Sequence, residues 1–157
     1  MTAGRRLAQR PRMATSFARR ALPFVAGAFV ACAILQVFLA GLGVFNDPSS
    51  FITHRNFGYT FGWLTLVILV LAIVGRSGRR LIGLSALLLV LFSLQSVFVA
   101  LRTDMPTVAA LHPLNGFAIL LVSIVMTRVA WAARTVTAAT PPVASVSAQG
   151  DLGNETR

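Results

Sequence analysis

Residues 35–65 read "LQVFLAGLGVFNDPSSFITHRNFGYTFGWLT", and residues 94–123 read "LQSVFVALRTDMPTVAALHPLNGFAILLVS". Set side by side, they match in order. Leu-Gln opens each, giving Gln36 and Gln95. An Asp then precedes a Pro: Asp47 and Pro48, then Asp104 and Pro106. Six residues after each Pro comes a histidine, His54 or His112, and the chain has no other histidine. Four residues further comes Gly58 or Gly116, and eleven residues after each histidine comes a hydroxyl, Thr65 or Ser123. A length difference of one residue, between the Gln and the Pro, aligns the whole set. Self-similarity of this kind marks repeated supersecondary units. Each unit reads as a helical hairpin of two membrane spans. Two such units in parallel are related by an axis along the membrane normal. The expected fold is therefore all-α, an integral membrane four-helix bundle built from two tandem helical-hairpin repeats.

The rest of the chain agrees. Of 157 residues, 56% are hydrophobic and only 11% charged, against about 25% charged in an average soluble domain. Four uncharged or nearly uncharged runs, about 21–45, 57–75, 81–101 and 111–131, each approach the roughly 20 residues a membrane helix requires. Backbone polar groups have no water partner inside lipid, so these runs must be helical. "ACA" at Ala31–Ala33 resembles a signal-peptidase site, but the apolar run continues to Phe45, which favours a retained span.

The net charge of +10 comes entirely from arginine, and its placement argues against nucleic acid as a partner. Six arginines lie in residues 1–20, three form "RSGRR" at Arg76, Arg79 and Arg80, and Arg128 and Arg134 flank the last span. With four spans, all of these fall on one side. The other side holds only Arg55 and Arg102. Positive charge marks the cytoplasmic side, so the sequence predicts a multi-pass protein of the bacterial plasma membrane with both termini cytoplasmic. The basic segment 1–20 is suited to anionic headgroups. The tail 135–157, rich in Thr, Ser, Ala and Pro without an apolar period, is expected to be disordered.

On a helix, positions i, i+4 and i+11 share a face. His54, Gly58 and Thr65 thus line one stripe of the second span, and His112, Gly116 and Ser123 the matching stripe of the fourth. The repeat axis turns both histidines toward the bundle centre at equal depth. Two neutral imidazoles facing across a bundle core suit the axial positions of a haem iron. The flanking glycines either clear space for a flat cofactor or let helices pack closely; "GYTFG" is also a GxxxG. Helix N-termini together with Arg55 and Arg102 suit haem propionates. Gln36 and Gln95 read first as interhelical hydrogen-bonding groups and second as contacts to a cofactor edge. Trp63 is read as lying deep, in the core. Two histidines without carboxylate or thiolate neighbours make a poor zinc or copper site. The single cysteine, Cys32, and the absence of CxxCH exclude covalent c-type attachment. The competing reading of both histidines is structural, as hydrogen-bonding groups near the membrane interface.

The motifs "LQ…HRNFG" and "LQ…LHPLNG", over roughly Leu35 to Arg128, resemble one four-helix half of the heme A synthase family. They are also similar to small uncharacterised four-span bacterial membrane proteins with the same Gln, His-Arg and Leu-His-Pro pattern. The synthase resemblance implies His54 and His112 as axial ligands, with Arg55 as the arginine after the first. Phe51 stands where the synthase pattern has a Glu, and the outer-loop cysteine pair is absent. What carries over is haem binding and not synthase chemistry, and no catalytic residue is expected. The functional expectation is a b-type haem protein in electron transfer or haem handling. One haem near one face does not span a bilayer, so electron flow across it needs a membrane redox partner or a homodimer. The alternative is a haem-free scaffold or complex subunit.

Overall fold

The computed structural model describes residues 3–139, with side chains from 13 to 135. Five helices follow in order: α1 (Ala3–Phe45), α2 (Ser50–Val74), α3 (Arg79–Ala100), the single-turn α4 (Pro106–Ala109) and α5 (Leu111–Ala139). Four segments are long and apolar enough to cross a bilayer: Met13–Phe45, Ser50–Val74, Arg79–Ala100 and Pro106–Thr135. At 1.5 Å per residue, even the 22 residues of α3 exceed the roughly 30 Å of a hydrocarbon core. The chain is an all-helical, multi-pass integral membrane protein.

The four long helices form a ring. α1 and α3 each pack on both α2 and α5, and the pairs α1/α3 and α2/α5 face one another across the diagonals. Buried residues recur every three or four positions: Leu22, Ala26, Phe29 and Ala33 on α1; Phe61, Thr65, Ile68 and Ala72 on α2; Leu81, Ser85 and Leu88 on α3; Ile119, Ser123, Met126 and Ala130 on α5. This is the narrow seam of a bundle. The remaining surface is apolar too, with Phe38, Leu121 and Phe117 turned outward, as lipid-facing positions should be. Trp63 was expected in the core; it is 71% exposed. It lies between the buried Phe61 and Thr65, and that offset puts it on the opposite face.

Midway along the bundle the seam is aromatic. The Phe29 ring lies 5.3 Å from Phe61 and 6.1 Å from Phe92, and Phe61 lies 5.4 Å from Phe92 and 5.2 Å from Phe57. The geometries are tilted or edge-on, the favourable arrangements for ring quadrupoles. The glycine at Gly62 admits Phe92, whose ring occupies the place of a Cβ there.

The helices extend beyond the uncharged runs. α1 continues through the basic segment, because "AGRRLAQRPRMATSFARR" is rich in good helix formers. α2 begins seven residues before Phe57, since polarity at His54–Asn56 interrupts a hydropathy run but not a helix. Asp47 sets that start: its carboxylate accepts the Ser49 N–H at 2.9 Å and the Ser49 hydroxyl at 2.6 Å. Those two donors hold the Asp47 pKa below the usual carboxylate value. α5 runs to Ala139, into the segment expected to be disordered; positions 140–157 of that expected tail lie outside the described residues.

The α2–α3 turn is tight. Arg76 N–H bonds the Ile73 carbonyl at 3.0 Å and Ser77 N–H the Ala72 carbonyl at 3.0 Å, closing a Schellman-type end. The residue in the left-handed region is Arg76, with φ 48°, and Gly78 follows at φ 87°. Gly75 stays small because backbone crowds it from two sides: a Cβ there would lie 2.7 Å from the Leu71 carbonyl oxygen and 3.2 Å from the Arg19 nitrogen of α1. The Arg19 guanidinium donates twice to the Gly75 carbonyl, at 3.2 and 3.1 Å, tying α1 to the end of α2.

Candidate functional site

At the opposite end, polar side chains gather inside the ring of helices. His54 sits one turn into α2 and His112 at the start of α5, both half-buried. Although α2 and α5 are diagonal partners, the two imidazole centroids are 6.2 Å apart, with ring planes at 65°. The face shared by His54, Gly58 and Thr65, and by His112, Gly116 and Ser123, does turn inward: Thr65 is 1% exposed and Ser123 0%. Each hydroxyl bonds its own helix three residues back, Thr65 to the Gly62 carbonyl at 2.7 Å and Ser123 to the Leu120 carbonyl at 2.8 Å.

Each histidine is attended by the glutamine of its own hairpin. His54 Nδ1 lies 3.1 Å from the Gln36 backbone carbonyl. A donating Nδ1–H there leaves Nε2 with its lone pair free to accept. The Gln36 amide nitrogen lies 3.2 Å from that Nε2 and donates to the His54 carbonyl at 2.8 Å. This fixes the amide orientation and leaves Gln36 Oε1 buried without a partner. In the second hairpin, His112 interacts with the Gln95 backbone, but its buried Nδ1 closes no hydrogen bond. The Gln95 Oε1 instead accepts from Asn115 at 2.8 Å, and Asn115 also donates to the Leu91 carbonyl at 2.8 Å. The two glutamines do not bond one another; each bridges the helices of its own hairpin, the interhelical role expected for them.

The glycines have a specific use. A Cβ on Gly58 would lie 2.9 Å from Gln36 Nε2, and one on Gly116 3.4 Å from Gln95 Nε2. Both amides lie over the glycine that follows the histidine by one turn. Phe51 packs its ring where a Cβ on Gly43 would sit, and meets the His54 ring edge-on at 6.3 Å. Arg55 and Arg102 are exposed at this end, Arg102 donating to the Val99 carbonyl at 3.2 Å.

Asn115 was not singled out from the sequence. The residue at the matching position of the first hairpin is Phe57, so the repeat drew no attention to it. A lone Asn within an apolar run, three residues after His112, was the available signal. An open apolar groove of about 460 Å³ runs outside Asn115, bordered by Phe98, Leu111, Phe117 and Leu121; neither histidine lines it. Among the described residues, no three His, Cys, Asp or Glu side chains converge. The donor set on offer is therefore two imidazoles and nearby amides.

Residues 36–102 match the model of a family described as Family of unknown function (DUF6220). The matched stretch contains Gln36, His54, Gln95 and Arg102 and stops before His112. No curated protein and no solved structure matches the chain.

Proposed function

We propose that this protein binds one b-type haem through His54 and His112, in a bacterial plasma membrane with its arginine-rich end on the cytoplasmic side. The observation that carries the reading is the 6.2 Å separation of the two rings across the bundle diagonal. Two imidazoles brought this close from diagonal helices could be held by one metal once the His54 Nε2 is released from Gln36. Haem, when bound, supplies a one-electron ferric/ferrous couple. The residues do the rest. The Gln36 carbonyl fixes the His54 tautomer with Nε2 as the basic nitrogen, the second-sphere bond that ligating histidines generally make. Gly58 and Gly116 keep the flanking helix faces low, and the Gln36 and Gln95 amides that cover them would have to give up their present bonds and swing aside. Arg55 and Arg102, exposed at this end, carry the charge to pair with propionates. The resemblance to half of a heme A synthase supports the same two ligands. Phe51 in place of a Glu leaves no carboxylate for synthase chemistry, so electron transfer or haem handling is the role proposed, with a membrane redox partner or a second copy of the chain required for electron flow across the bilayer.

Protein expressed with haem supplied and purified in detergent should show a Soret band and a sharp reduced α band. His54→Ala and His112→Ala should each lose the low-spin spectrum while remaining folded by circular dichroism. A colourless wild type refutes the proposal. One observation favours a second reading, a haem-free scaffold or complex subunit: both His54 nitrogens already have a Gln36 partner. On that reading both variants are spectrally silent and act only on stability.

A further inference from the structure

The α2–α3 turn holds a feature that packing does not explain. Arg76 occupies the left-handed region at φ 48°, the place in a Schellman end where glycine is favoured because it has no Cβ. Glycines stand on either side of the turn, at Gly75 and Gly78, yet the strained position carries an arginine. A non-glycine residue there is strained, because its Cβ crowds the carbonyl oxygen. Arg79 and Arg80 follow at once, in the first turn of α3, and all three side chains are exposed. Arg19, which reaches the same turn, is committed to the Gly75 carbonyl. The two carboxylates among the described residues, Asp47 and Asp104, lie in the loops at the other end of the bundle, so neither balances these charges. Four membrane-crossing segments place the turn at the level of the lipid headgroups.

We infer that Arg76, Arg79 and Arg80 form a binding site for the phosphodiester headgroup of an anionic phospholipid. A phosphate offers oxygen acceptors to several guanidinium forks at once. Arg76 adds a third exposed guanidinium from the turn itself, outside either helix. The site is at the far end from the histidines and does not depend on the haem reading.

The test compares the full-length protein in nanodiscs of phosphatidylcholine alone and of phosphatidylcholine doped with phosphatidylglycerol, reading the thermal midpoint and the bound lipid by native mass spectrometry. Wild type should be stabilised by the anionic lipid and should retain phosphatidylglycerol. At about 1 kcal/mol per juxtamembrane arginine, each substitution should weaken retention about fivefold. Arg76→Gly has a double signature: its midpoint in phosphatidylcholine should rise, because the strain is relieved, while the gain from phosphatidylglycerol shrinks. The charge-matched pair Arg79→Gln/Arg80→Gln and Arg20→Gln/Arg128→Gln separates a site from diffuse charge. Loss confined to the first pair supports the inference; equal loss in both overturns it. Inorganic phosphate displacing the lipid effect would mark a free-anion site and overturn the lipid assignment. An Arg76→Gly that is neither stabilised in phosphatidylcholine nor weakened toward phosphatidylglycerol also overturns it.

Discussion

Gly58 and Gly116 occupy matched places, and the structure predicts opposite outcomes for the same substitution. Replacing a helical glycine by alanine favours the helix by about 1 kcal/mol. At Gly116 the new Cβ would sit 3.4 Å from the Gln95 amide, an ordinary contact, so Gly116→Ala should keep that gain. At Gly58 the Cβ would come to 2.9 Å from Gln36 Nε2. That nitrogen is pinned by the His54 carbonyl at 2.8 Å and lies 3.2 Å from the His54 ring. It cannot retreat without giving up both contacts, each worth about 1 kcal/mol, with a further cost for a buried amide left unsatisfied. Gly58→Ala should therefore be destabilising by about 1–2 kcal/mol after the helix gain is subtracted, and should differ from Gly116→Ala by about 2–3 kcal/mol. Reversible unfolding in mixed micelles with increasing SDS measures both. The decisive arm is a double-mutant cycle. In a Gln36→Ala background the obstacle is gone, and Gly58→Ala should become stabilising by about 1 kcal/mol. If Gly58→Ala stabilises the wild-type background as much as Gly116→Ala does, the account of Gln36 as a fixed clamp is wrong.

Two further outcomes follow from the packing and the loop. Phe29 is fully buried and touches Phe61 and Phe92, so Phe29→Ala should cost about 3 kcal/mol in the same unfolding assay, and a loss well under 1 kcal/mol would mean the aromatic layer is loosely packed. Asp47 has a pKa depressed by the Ser49 hydroxyl and N–H, so its contribution is present above the unfolded-state pKa and lost as the pH falls through the lower folded-state value. The thermal midpoint should drop as the pH is lowered from about 4, and Asp47→Ala should flatten that drop; an unchanged slope would show that these two bonds do not support the start of α2.

The spans were legible because length and missing charge are one-dimensional properties. Their ends were not, since a helix ends where its backbone bonds find other partners. Thus α2 starts beside the Asp47–Ser49 turn, and not where hydropathy rises at Phe57. Trp63 was misplaced because hydropathy does not say which face of a membrane helix turns inward; the buried series Phe61, Thr65, Ile68 and Ala72 does. The histidine pair was legible through the repeat, which compares like with like. For the same reason Asn115 was invisible: it breaks the repeat, and its value lies in a bond to Gln95 that only three dimensions bring together. The strained Arg76 had no sequence signal beyond "GRSG", in which either glycine was the natural candidate for the left-handed position.

At the histidine end, the polar side-chain bonds that join helices close within a single hairpin: Gln36 with His54 between α1 and α2, Asn115 with Gln95 and Leu91 between α3 and α5. Where the hairpins meet there, they meet through ring edges and apolar contact. Lipid tails are as apolar as the leucines they would replace, so a membrane interface of this kind has little hydrophobic drive to stay shut. The two hairpins thus resemble the jaws of a clasp: each jaw is held together by its own hydrogen bonds, and the jaws meet at this end through dispersion contacts. A flat guest held by both histidines would part dispersion contacts between the jaws and would also have to turn the Gln36 and Gln95 amides away from the glycines they cover.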